Sequence, residues 1–471
     1  MQQTNAGYTN LIDASCKEIH SAWSGRLSVG GGLISAELFR YDCETPYRTH
    51  AENISLALDT GDTATLLRCT QSFGTRHHQF NAGYLLLGAR EWLDTDKISI
   101  FEFCLTGAEH SLSYGEHRDF DLQEDDGSLV HIHRVSDARR EIMRLKGDGY
   151  EVVLSKWPAV TAPRKENTGD DPTWISVHYD EARPLFDAFQ IPYHIQTFFE
   201  LSEGKPLRDT ALAVRVEGSD ELGEAITAAP AQLLDFGLYR SWRPTDYESA
   251  EYTGAEQIFR VSTPADRERT KNALSIWLAR REQWKVTYWL ASQFVHGGNV
   301  TDRHKLLQAM AWFESIPDYP SETGLNNKAL REFRRESREL NSFKELGISE
   351  ERFSEVLNAL KRNPLRERIY SAIDNIREEF GQNVLGESIQ RDCRAAIKFR
   401  DYSAHGGYHI DEEDFLEFLV ATAAVETVAL LATIRSLGVD HKRIRDITNR
   451  LAPHPYASYQ LWVDSRSKSG A

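Results

Sequence analysis

Three side chains with complementary chemistry stand within six residues of each other: Arg400, Asp401 and His405. An imidazole transfers protons near neutral pH, and a guanidinium balances the charge that develops on a phosphate under attack. Asp401 lies four residues before His405, so on a helix its carboxylate can orient the imidazole and favour its protonated form. Such a set is sufficient to cleave RNA through its own 2′-hydroxyl group without a metal ion.

The spacing of Arg400 and His405 carries little weight by itself. The chain has 16 histidines, so a few Arg-to-His pairs at similar offsets are expected by chance. Arg435 and His441 form such a pair, and they straddle a predicted helix end at Gly438. We interpret this second pair as coincidental, and the assignment of the first pair depends on its surroundings.

Segment 384–405 predicts a helix that carries the three-residue set at its end. Ile389, Cys393 and Ile397 share one face of this helix, and Arg400 extends their apolar stripe. A guanidinium in such a position loses water, which is costly unless it is paired with an anion. The pattern therefore predicts an anionic partner or ligand for Arg400.

Other residues of the same helix are candidates for contacting the RNA. Arg391, Arg394 and Lys398 precede the three-residue set, and a solvated helix face explains them equally well. Tyr402 has a ring that can stack on a base, although packing in an interface is the commoner role of such a residue. A second basic cluster, for which solvation is again the commoner explanation, comprises Lys361, Arg362, Arg366 and Arg368.

Residues 264–450 have the apolar period of amphipathic helices. No proline occurs between Leu365 and Ala452, which favours long uninterrupted helices. The most apolar stretch, 418–434, is short for a membrane span and carries Glu426, so we predict a buried helix there. The predicted helices are 265–296, 301–316, 326–345, 350–361, 365–380, 384–405 and 411–437.

Residues from about 24 to 215 consist mainly of short apolar or alternating runs between turn residues, which predicts antiparallel strands. Segment 194–207 predicts a further hairpin, with its turn at Glu203-Gly204. The chain is therefore predicted to have an α+β fold, in which a β-rich, sandwich-like domain precedes a helical bundle. The predicted divisions are 1–263 with a sub-boundary near 160–173, then 264–450, and a C-terminal tail at 451–471.

Residues 300–440 resemble a HEPN domain, a helical bundle whose nuclease members carry an Arg, a polar residue, three variable positions and a His. Arg400, Asp401 and His405 match that motif. With its β-rich half, the chain resembles more narrowly the ApeA family of bacterial anti-phage proteins. The matching segments are KLLQAMAWFES, NPLRERIYSAIDNI, IKFRDYSAHG and, in the N-terminal half, FNAGYLLLGAREWLDTDKISIFEFCL.

The resemblance implies an RNA endonuclease that acts as a homodimer, in which two copies of Arg400 and His405 meet in one composite site. It implies no cofactor. It also implies that the nuclease is restrained until infection by phage, and that its activity then arrests the host cell. Transfer RNA is a candidate substrate because related nucleases often cleave it. Asp401 stands where Asn is more frequent, so it either orients His405 or positions Arg400.

Two other classes of function are open at this point. In the first, the helical bundle is a non-catalytic dimerisation or binding module, and Arg400 and Asp401 form a structural pair at a helix end. In the second, the β-rich half is a receptor for a ligand or a phage protein, and the bundle is its output.

Five widely spaced cysteines without a Cys-x-x-Cys pair indicate a reduced, cytoplasmic setting. The first twenty residues lack the features of a secretory signal, and we expect no membrane association. Two spacings occur in metal sites, those of Cys16 with His20 and of His131 with His133. No second pair with metal-ligand spacing accompanies Cys16 and His20. His131 and His133 would face the same side of a strand and could bind a metal, but polar alternation on a solvent-facing strand explains them equally well, so we predict no metal site.

The formal net charge of the 471-residue chain is −16, and its location matters. Residues 1–260 carry −17, residues 261–450 carry 0 and residues 451–471 carry +1. The acidity lies in the predicted sensor half, so it does not exclude RNA as a substrate of the helical half. It suggests the hypothesis that the acidic half covers basic clusters of the bundle in the resting state, in a contact that raised salt weakens.

Overall fold

The chain divides into two compact units in the computed structural model. The β-rich unit comprises Met1–Phe199, Leu207–Thr253 and Phe259–Lys271, and the helical unit comprises Glu200–Pro206, Gly254–Ile258 and Asn272–Ala471. The residues that the structure describes are 12–20, 23–30, 33–40, 53–72, 77–112, 120–125, 128–134, 140–156, 173–218, 236–240, 258–296, 303–317, 365–404 and 412–439, with Glu332, Arg335, Glu336, Tyr459 and Val463.

The described strands pair only in the antiparallel sense, in one large sheet and one separate hairpin. They are β1 Ile12–Glu18, β2 Trp23–Gly30, β3 Leu33–Arg40, β4 Asn53–Leu58, β5 Thr63–Leu67, β6 Thr70–Ser72, β7 His77–Asn81, β8 Tyr84–Gly88, β9 Ile98–Thr106, β10 Phe120–Asp125, β11 Ser128–Arg134, β12 Arg140–Lys146, β13 Tyr150–Lys156, β14 Trp174–Arg183, β15 Arg208–Val216 and β16 Phe236–Arg240. The order in the 14-stranded sheet is β12-β13-β14-β9-β15-β16-β8-β5-β4-β1-β2-β3-β7-β6, and β10 pairs with β11.

Period-two alternation places the apolar side chains of these strands on one face. Leu27 and Val29 of β2 are buried together with Ile34 and Leu38 of β3, in a cluster that extends to β1, β4, β5, β7 and β8. Alternating residues of a strand point to the same side of a sheet, so this arrangement follows from the sequence pattern. The antiparallel, β-rich character of the N-terminal half is confirmed, and its sandwich-like packing stays a prediction.

The hairpin predicted for 194–207 is wrong, because most of this segment is helical. Helix α3, Gln190–Glu203, follows the short helices α1, Glu109–Leu112, and α2, Leu185–Ala188. Ile191, Ile195 and Phe198 of α3 are fully buried at helical spacing. Gly204 has φ +67° and donates its N–H to the Glu200 carbonyl at 2.8 Å, so the glycine ends a helix instead of turning a hairpin.

The C-terminal half is helical in its described residues. These helices are α4 Pro264–Ala279, α5 Lys285–His296, α6 Arg303–Ser315, α7 Leu365–Phe380, α8 Ile389–Ala404 and α9 Glu412–Ser436. The chain is therefore a mixed α+β protein with a β-rich N-terminal part. Of the helix predicted at 326–345, only Glu332, Arg335 and Glu336 are described, and all three are helical. The helix predicted at 350–361 lies outside the described residues.

The predicted helix 265–296 is two helices, α4 and α5, with turns at 280–284 between them. No glycine or proline interrupts this segment, so its sequence lacks the usual signal of a helix break. Within the helical unit, the rings of Trp277 and Tyr288 stack with their centroids 3.5 Å apart. The break is therefore accompanied by tertiary packing between the two helices.

Helix α9 is the central element of the helical unit and packs against α5, α6, α7 and α8. Among the described residues it alone has the length and apolar composition to cross a membrane, and 83% of its most apolar window is buried inside the protein. That burial is consistent with the core helix of a soluble protein and agrees with the predicted buried helix. Gly438, with φ +71°, stands just past its C-terminal end as the sequence predicts.

A residue of the predicted C-terminal tail belongs to the core of the helical unit. The Tyr459 side chain is fully buried. Its hydroxyl donates to Asp392 Oδ2 at 2.9 Å and lies 3.0 Å from Ser388 Oγ, at the beginning of α8. Tyr459 thus fixes the N-terminal end of the helix that carries Arg400.

Candidate functional site

Helix α8 positions the candidate site through one buried face. Ile389, Cys393 and Ala396 have no exposed surface, and Phe399 is 7% exposed. Arg400 follows directly, at the edge of this face, with 34% of its side chain exposed. The buried stripe therefore holds the end of α8 in place and leaves the Arg400 guanidinium partly in contact with solvent.

The sequence predicts an anionic partner or ligand for Arg400, and the structure contains two such partners. Arg400 Nη2 donates to Glu314 Oε1 at 2.7 Å, and Arg400 Nη1 donates to Asp401 Oδ1 at 3.2 Å. The side chains of Glu314 and Asp401 are 50% and 57% exposed. The guanidinium thus lies between two carboxylates that both face solvent, which makes each ion pair individually weak.

Glu314 is the residue that sequence reasoning missed. It lies on α6, 86 residues before Arg400, in the KLLQAMAWFES segment that resembles an early bundle helix. Local periodicity does not predict a contact between residues that are so far apart in sequence. Only the packing of α6 against α8 brings the two side chains together.

Arg368 of α7 fixes the backbone at Glu314. Arg368 Nη1 donates to the carbonyl oxygens of Phe313, at 2.9 Å, and of Glu314, at 3.3 Å. These carbonyls belong to the last turn of α6, which has no helical N–H partners for them. Arg368 therefore supports the end of α6, a role that its sequence context does not predict.

His405 lies outside the described residues, directly after Ala404, the last residue of α8. The predicted contact between Asp401 and His405 therefore stays a prediction. Among the described residues Asp401 contacts Arg400, which is one of the two roles that the sequence leaves open for it.

The other candidates on α8 lie on its exposed side. Arg391, Arg394, Lys398 and Tyr402 are all exposed, and their spacing places them along one stripe of the helix. Arg391 Nε donates to Asp392 Oδ1 at 3.3 Å. Two of the other basic cluster's members, Lys361 and Arg362, lie outside the described residues.

Asp392 and Cys393 are part of the support of the site and not of its reactive surface. Asp392 is 2% exposed and accepts the bond from Tyr459 described above. Burial, and to a smaller degree the charge of Asp392, raise the pKa of the Cys393 thiol far above its ordinary value. A thiol held in its neutral form is a poor nucleophile.

The described residues contain no group of three or more His, Cys, Asp or Glu side chains that could hold a metal ion. Cys16 is buried on β1, and burial together with the charge of Asp59 raises its pKa to about 11. His20 is exposed and its Nε2 lies 3.2 Å from Glu91 Oε2. His131 and His133 lie on β11, opposite Gln123 and Asp121.

The second Arg-to-His pair has a different environment. Arg435 lies in the last turn of α9 and its Nε forms an ion pair with Glu379 Oε2 of α7 at 2.5 Å. His441 lies outside the described residues. Arg435 and Glu379 therefore provide a matched control for Arg400 and Glu314, since both pairs join exposed side chains of different helices.

Comparisons with protein-family models, with curated proteins and with solved structures found no match to this chain.

Proposed function

We propose that this protein is a HEPN-type endoribonuclease that cleaves RNA without a metal ion, as a cytoplasmic homodimer. The proposal rests on the match of Arg400, Asp401 and His405 to the HEPN motif. The observation that carries it is the position of Arg400 at the end of α8, partly exposed and already paired with anions. A partly exposed guanidinium can bind a phosphate once an anionic neighbour is displaced, and His405 follows Arg400 by five residues.

The reaction that we propose is attack by the 2′-oxygen of the RNA on the adjacent phosphorus atom. His405 accepts the proton of the 2′-hydroxyl or donates a proton to the departing 5′-oxygen. Arg400 stabilises the charge on the phosphorane, and Asp401 positions Arg400 or orients His405. The bond from phosphorus to the 5′-oxygen breaks, so one product ends in a 2′,3′-cyclic phosphate and the other begins with a 5′-hydroxyl group.

The two carboxylates beside Arg400 support a restrained resting state. Glu314 and Asp401 contribute two negative charges around one positive charge, so the local field disfavours a phosphate. Exposed ion pairs of this kind are each worth at most about 1 kcal/mol. Substrate binding or a conformational change is therefore sufficient to displace Glu314 from the guanidinium.

The β-rich half is the proposed sensor or restraint, and a phage-derived molecule is its proposed trigger. In this scheme the protein defends bacteria against phage, and transfer RNA is a candidate substrate. The net charge of −17 over residues 1–260 supports a role other than RNA binding for the β-rich half.

A non-catalytic binding or dimerisation module is the second candidate function. The bond from Arg400 to Asp401 at 3.2 Å supports it, because that alternative expects the two residues to form a structural pair at a helix end. Only the nuclease cleaves RNA, and only in the nuclease does substitution of His405 reduce cleavage.

Purified full-length protein, incubated with total RNA and with transfer RNA, tests the proposal. We expect His405→Ala and Arg400→Ala to reduce cleavage at least a hundredfold, since a positioned acid or base contributes about 10²- to 10⁴-fold. Arg435→Ala should cleave like the wild type, and a chelator should have no effect. The 3′ ends of the products should be cyclic phosphates.

Circular dichroism and sedimentation would establish that each variant is folded and associates like the wild type. Undiminished cleavage by folded His405→Ala protein would contradict the proposed mechanism. Intact RNA with the wild type, in phage-infected cells as well as in vitro, would favour the non-catalytic module.

A further inference from the structure

The described arginines of helices α7, α8 and α9 fall into two groups by their partners. Most of them contact a carboxylate or a backbone carbonyl: Arg368, Arg377, Arg391, Arg400 and Arg435. Arg366 and Arg394 differ, since among the described residues both of them contact Tyr370 and neither forms an ion pair. Their positive charges are therefore not neutralised by a described neighbour.

Tyr370 lies between these two guanidinium groups. The Cζ atom of Arg366 is 5.3 Å from the centroid of its ring, within the range of a cation–π contact. Arg394 Nε donates to its hydroxyl oxygen at 3.3 Å. Arg366 and Arg394 are exposed, and Tyr370 is half-buried. The three side chains thus form an aromatic surface with two positive charges at its border.

Arg394 makes this surface continuous with the exposed stripe of α8, which also contains Lys398, whereas Arg400 lies at the edge of the buried face of the helix. Helices α7 and α8 are joined by residues 381–388, and Arg377 Nη2 donates to the Gly386 carbonyl at 3.3 Å near that connection. The contact from Arg394 to Tyr370 lies farther from this connection on both helices, so the two helices run in opposite directions. Arg394 precedes Arg400 by six residues, a rise of about 9 Å along α8, and the exposed Lys398 lies between them.

We propose that Tyr370, Arg366 and Arg394 form a subsite for single-stranded RNA. This inference rests on the proposed function and specifies its substrate as an unpaired strand. One nucleobase stacks on the Tyr370 ring or on the guanidinium plane of Arg366, and neighbouring phosphates contact Arg366, Arg394 and Lys398.

Stacking on Tyr370 requires an unpaired nucleotide. In a duplex, the faces of a base are covered by its neighbours, so sequence-tolerant stacking platforms act on single strands, loops and bulges. The unneutralised charges match a polyanion, and each phosphate contact releases counterions, which makes binding dependent on salt. An acidic peptide would satisfy the charges but would gain nothing from stacking on the half-buried Tyr370 ring.

Binding of a single strand that cannot be cleaved tests the subsite independently of catalysis. The probe is a fluorescent ten-nucleotide adenylate with 2′-O-methyl groups, which lacks the attacking hydroxyl. We expect the full-length wild type to bind it at least tenfold more tightly than a duplex of the same length. Tyr370→Leu should weaken binding about five- to hundredfold, as loss of one stacked base does, and Tyr370→Phe should retain most of it.

The arginines are tested by the salt dependence of the same affinity. Arg366→Ala and Arg394→Ala should each lower the slope of log affinity against log salt by about 0.7, as expected for one phosphate contact on a single strand. Arg435→Ala is the matched control and should leave the slope unchanged. If Tyr370→Leu protein does not fold, the exposed double variant Arg366→Glu/Arg394→Glu takes its place and should abolish binding.

Equal binding of the strand by the wild type and these variants would overturn the subsite, as would equal binding of strand and duplex. Binding of polyglutamate as tightly as the RNA strand would overturn it in favour of an acidic protein partner. Cleavage assays on the same preparations separate the two proposals. If Tyr370-dependent binding occurs without His405-dependent cleavage, the nuclease assignment fails and the subsite stands, whereas cleavage without any role of Tyr370 removes the subsite alone.

Discussion

At the scale of single residues, the ion pair between Arg400 and Glu314 is the central feature of the candidate site. Its geometry is that of a charge-assisted hydrogen bond, 2.7 Å from Nη2 to Oε1. Both partners are partly exposed, so water competes with the pair and reduces its contribution to stability. The pair therefore affects what Arg400 can bind more than it affects whether the protein folds.

Replacement of Glu314 should make Arg400 more available to RNA. We expect Glu314→Gln to lower the KM for RNA up to about fivefold at low salt with little change in kcat, because an exposed pair contributes at most about 1 kcal/mol. The measurement is steady-state cleavage at two salt concentrations. The effect should shrink at high salt, where Arg400 and Glu314 are screened.

Glu379→Gln is the matched control for this prediction. Glu379 is 40% exposed and pairs with Arg435 on α9, so its substitution removes the same charge without touching Arg400. An equal fall of the KM in both variants would indicate a general effect of net charge. An unchanged or raised KM in Glu314→Gln protein would show that Glu314 does not compete with RNA for Arg400.

At the scale of elements, the beginning of α4 shows how local sequence builds a helix end. Pro264 occupies the first helical position, and the Asp266 N–H donates to Thr263 Oγ1 at 3.2 Å, as in a capping box. Asp266 Oδ2 accepts bonds from Arg260 Nε, Ser262 Oγ and Thr263 Oγ1. The side chain of Asp266 is only 2% exposed, but its carboxylate accepts several hydrogen bonds.

These contacts make the stability of the protein dependent on pH. Burial of Asp266 alone would raise its pKa, but the bonds from Arg269, Thr263 and Ser262 and the charge of Arg260 outweigh burial and hold the pKa well below its ordinary value. A carboxylate whose pKa is depressed by folding stabilises the native state at pH values above its ordinary pKa, about 3.9. That contribution is lost as the pH falls through the lower pKa of the folded state.

Asp266→Asn should therefore destabilise the protein by about 2 kcal/mol near pH 7, the scale of a lost charged hydrogen-bond network. Thermal unfolding of both proteins from pH 7 down to pH 2.5 provides the measurement. The difference in Tm should stay constant to about pH 5 and shrink below pH 4. A difference that is independent of pH throughout this range would mean that the ionised form of Asp266 has no special stabilisation.

Helix α3 and the break between α4 and α5 show where local patterns mislead. Gly204 has a positive φ, which suits both the end of a helix and the turn of a hairpin, so the glycine alone does not distinguish the two. The burial of Ile191, Ile195 and Phe198 at helical spacing distinguishes them. In contrast, the sequence predicts a helix at 365–380 and α7 has those same bounds, because its amphipathic period is regular over four turns.

At the scale of the whole molecule, the proposed function requires a homodimer with one composite site. The chain has a mass of 53.7 kDa, so sedimentation should give a species of twice that value. The excess of acidic over basic residues lies in residues 1–260, and the proposed RNA-binding residues lie in the helical half, where acidic and basic residues balance. The two halves therefore have different electrostatic properties within one chain, and only the helical half is suited to a polyanion.

Mixing of subunits tests whether the site needs two chains. Wild-type protein is unfolded and refolded, or co-expressed, with a growing excess of His405→Ala protein, and cleavage is measured per wild-type chain. If both copies of His405 serve one site, this activity should fall as wild-type homodimers become rare. If each chain carries a complete site, it should stay constant.

The sequence by itself determined the helical period of α7 to α9, the antiparallel alternation of the strands and the need of Arg400 for an anion. Each of these depends on neighbours along the chain, which interact over one or two turns or across adjacent strands. Glu314, 86 residues from Arg400, Tyr459 beside Asp392, and the surface formed by Tyr370 with Arg394 were decided by the tertiary structure alone. Side chains on different helices meet only when packing sets the position of each helix, and local periodicity contains no information on that position.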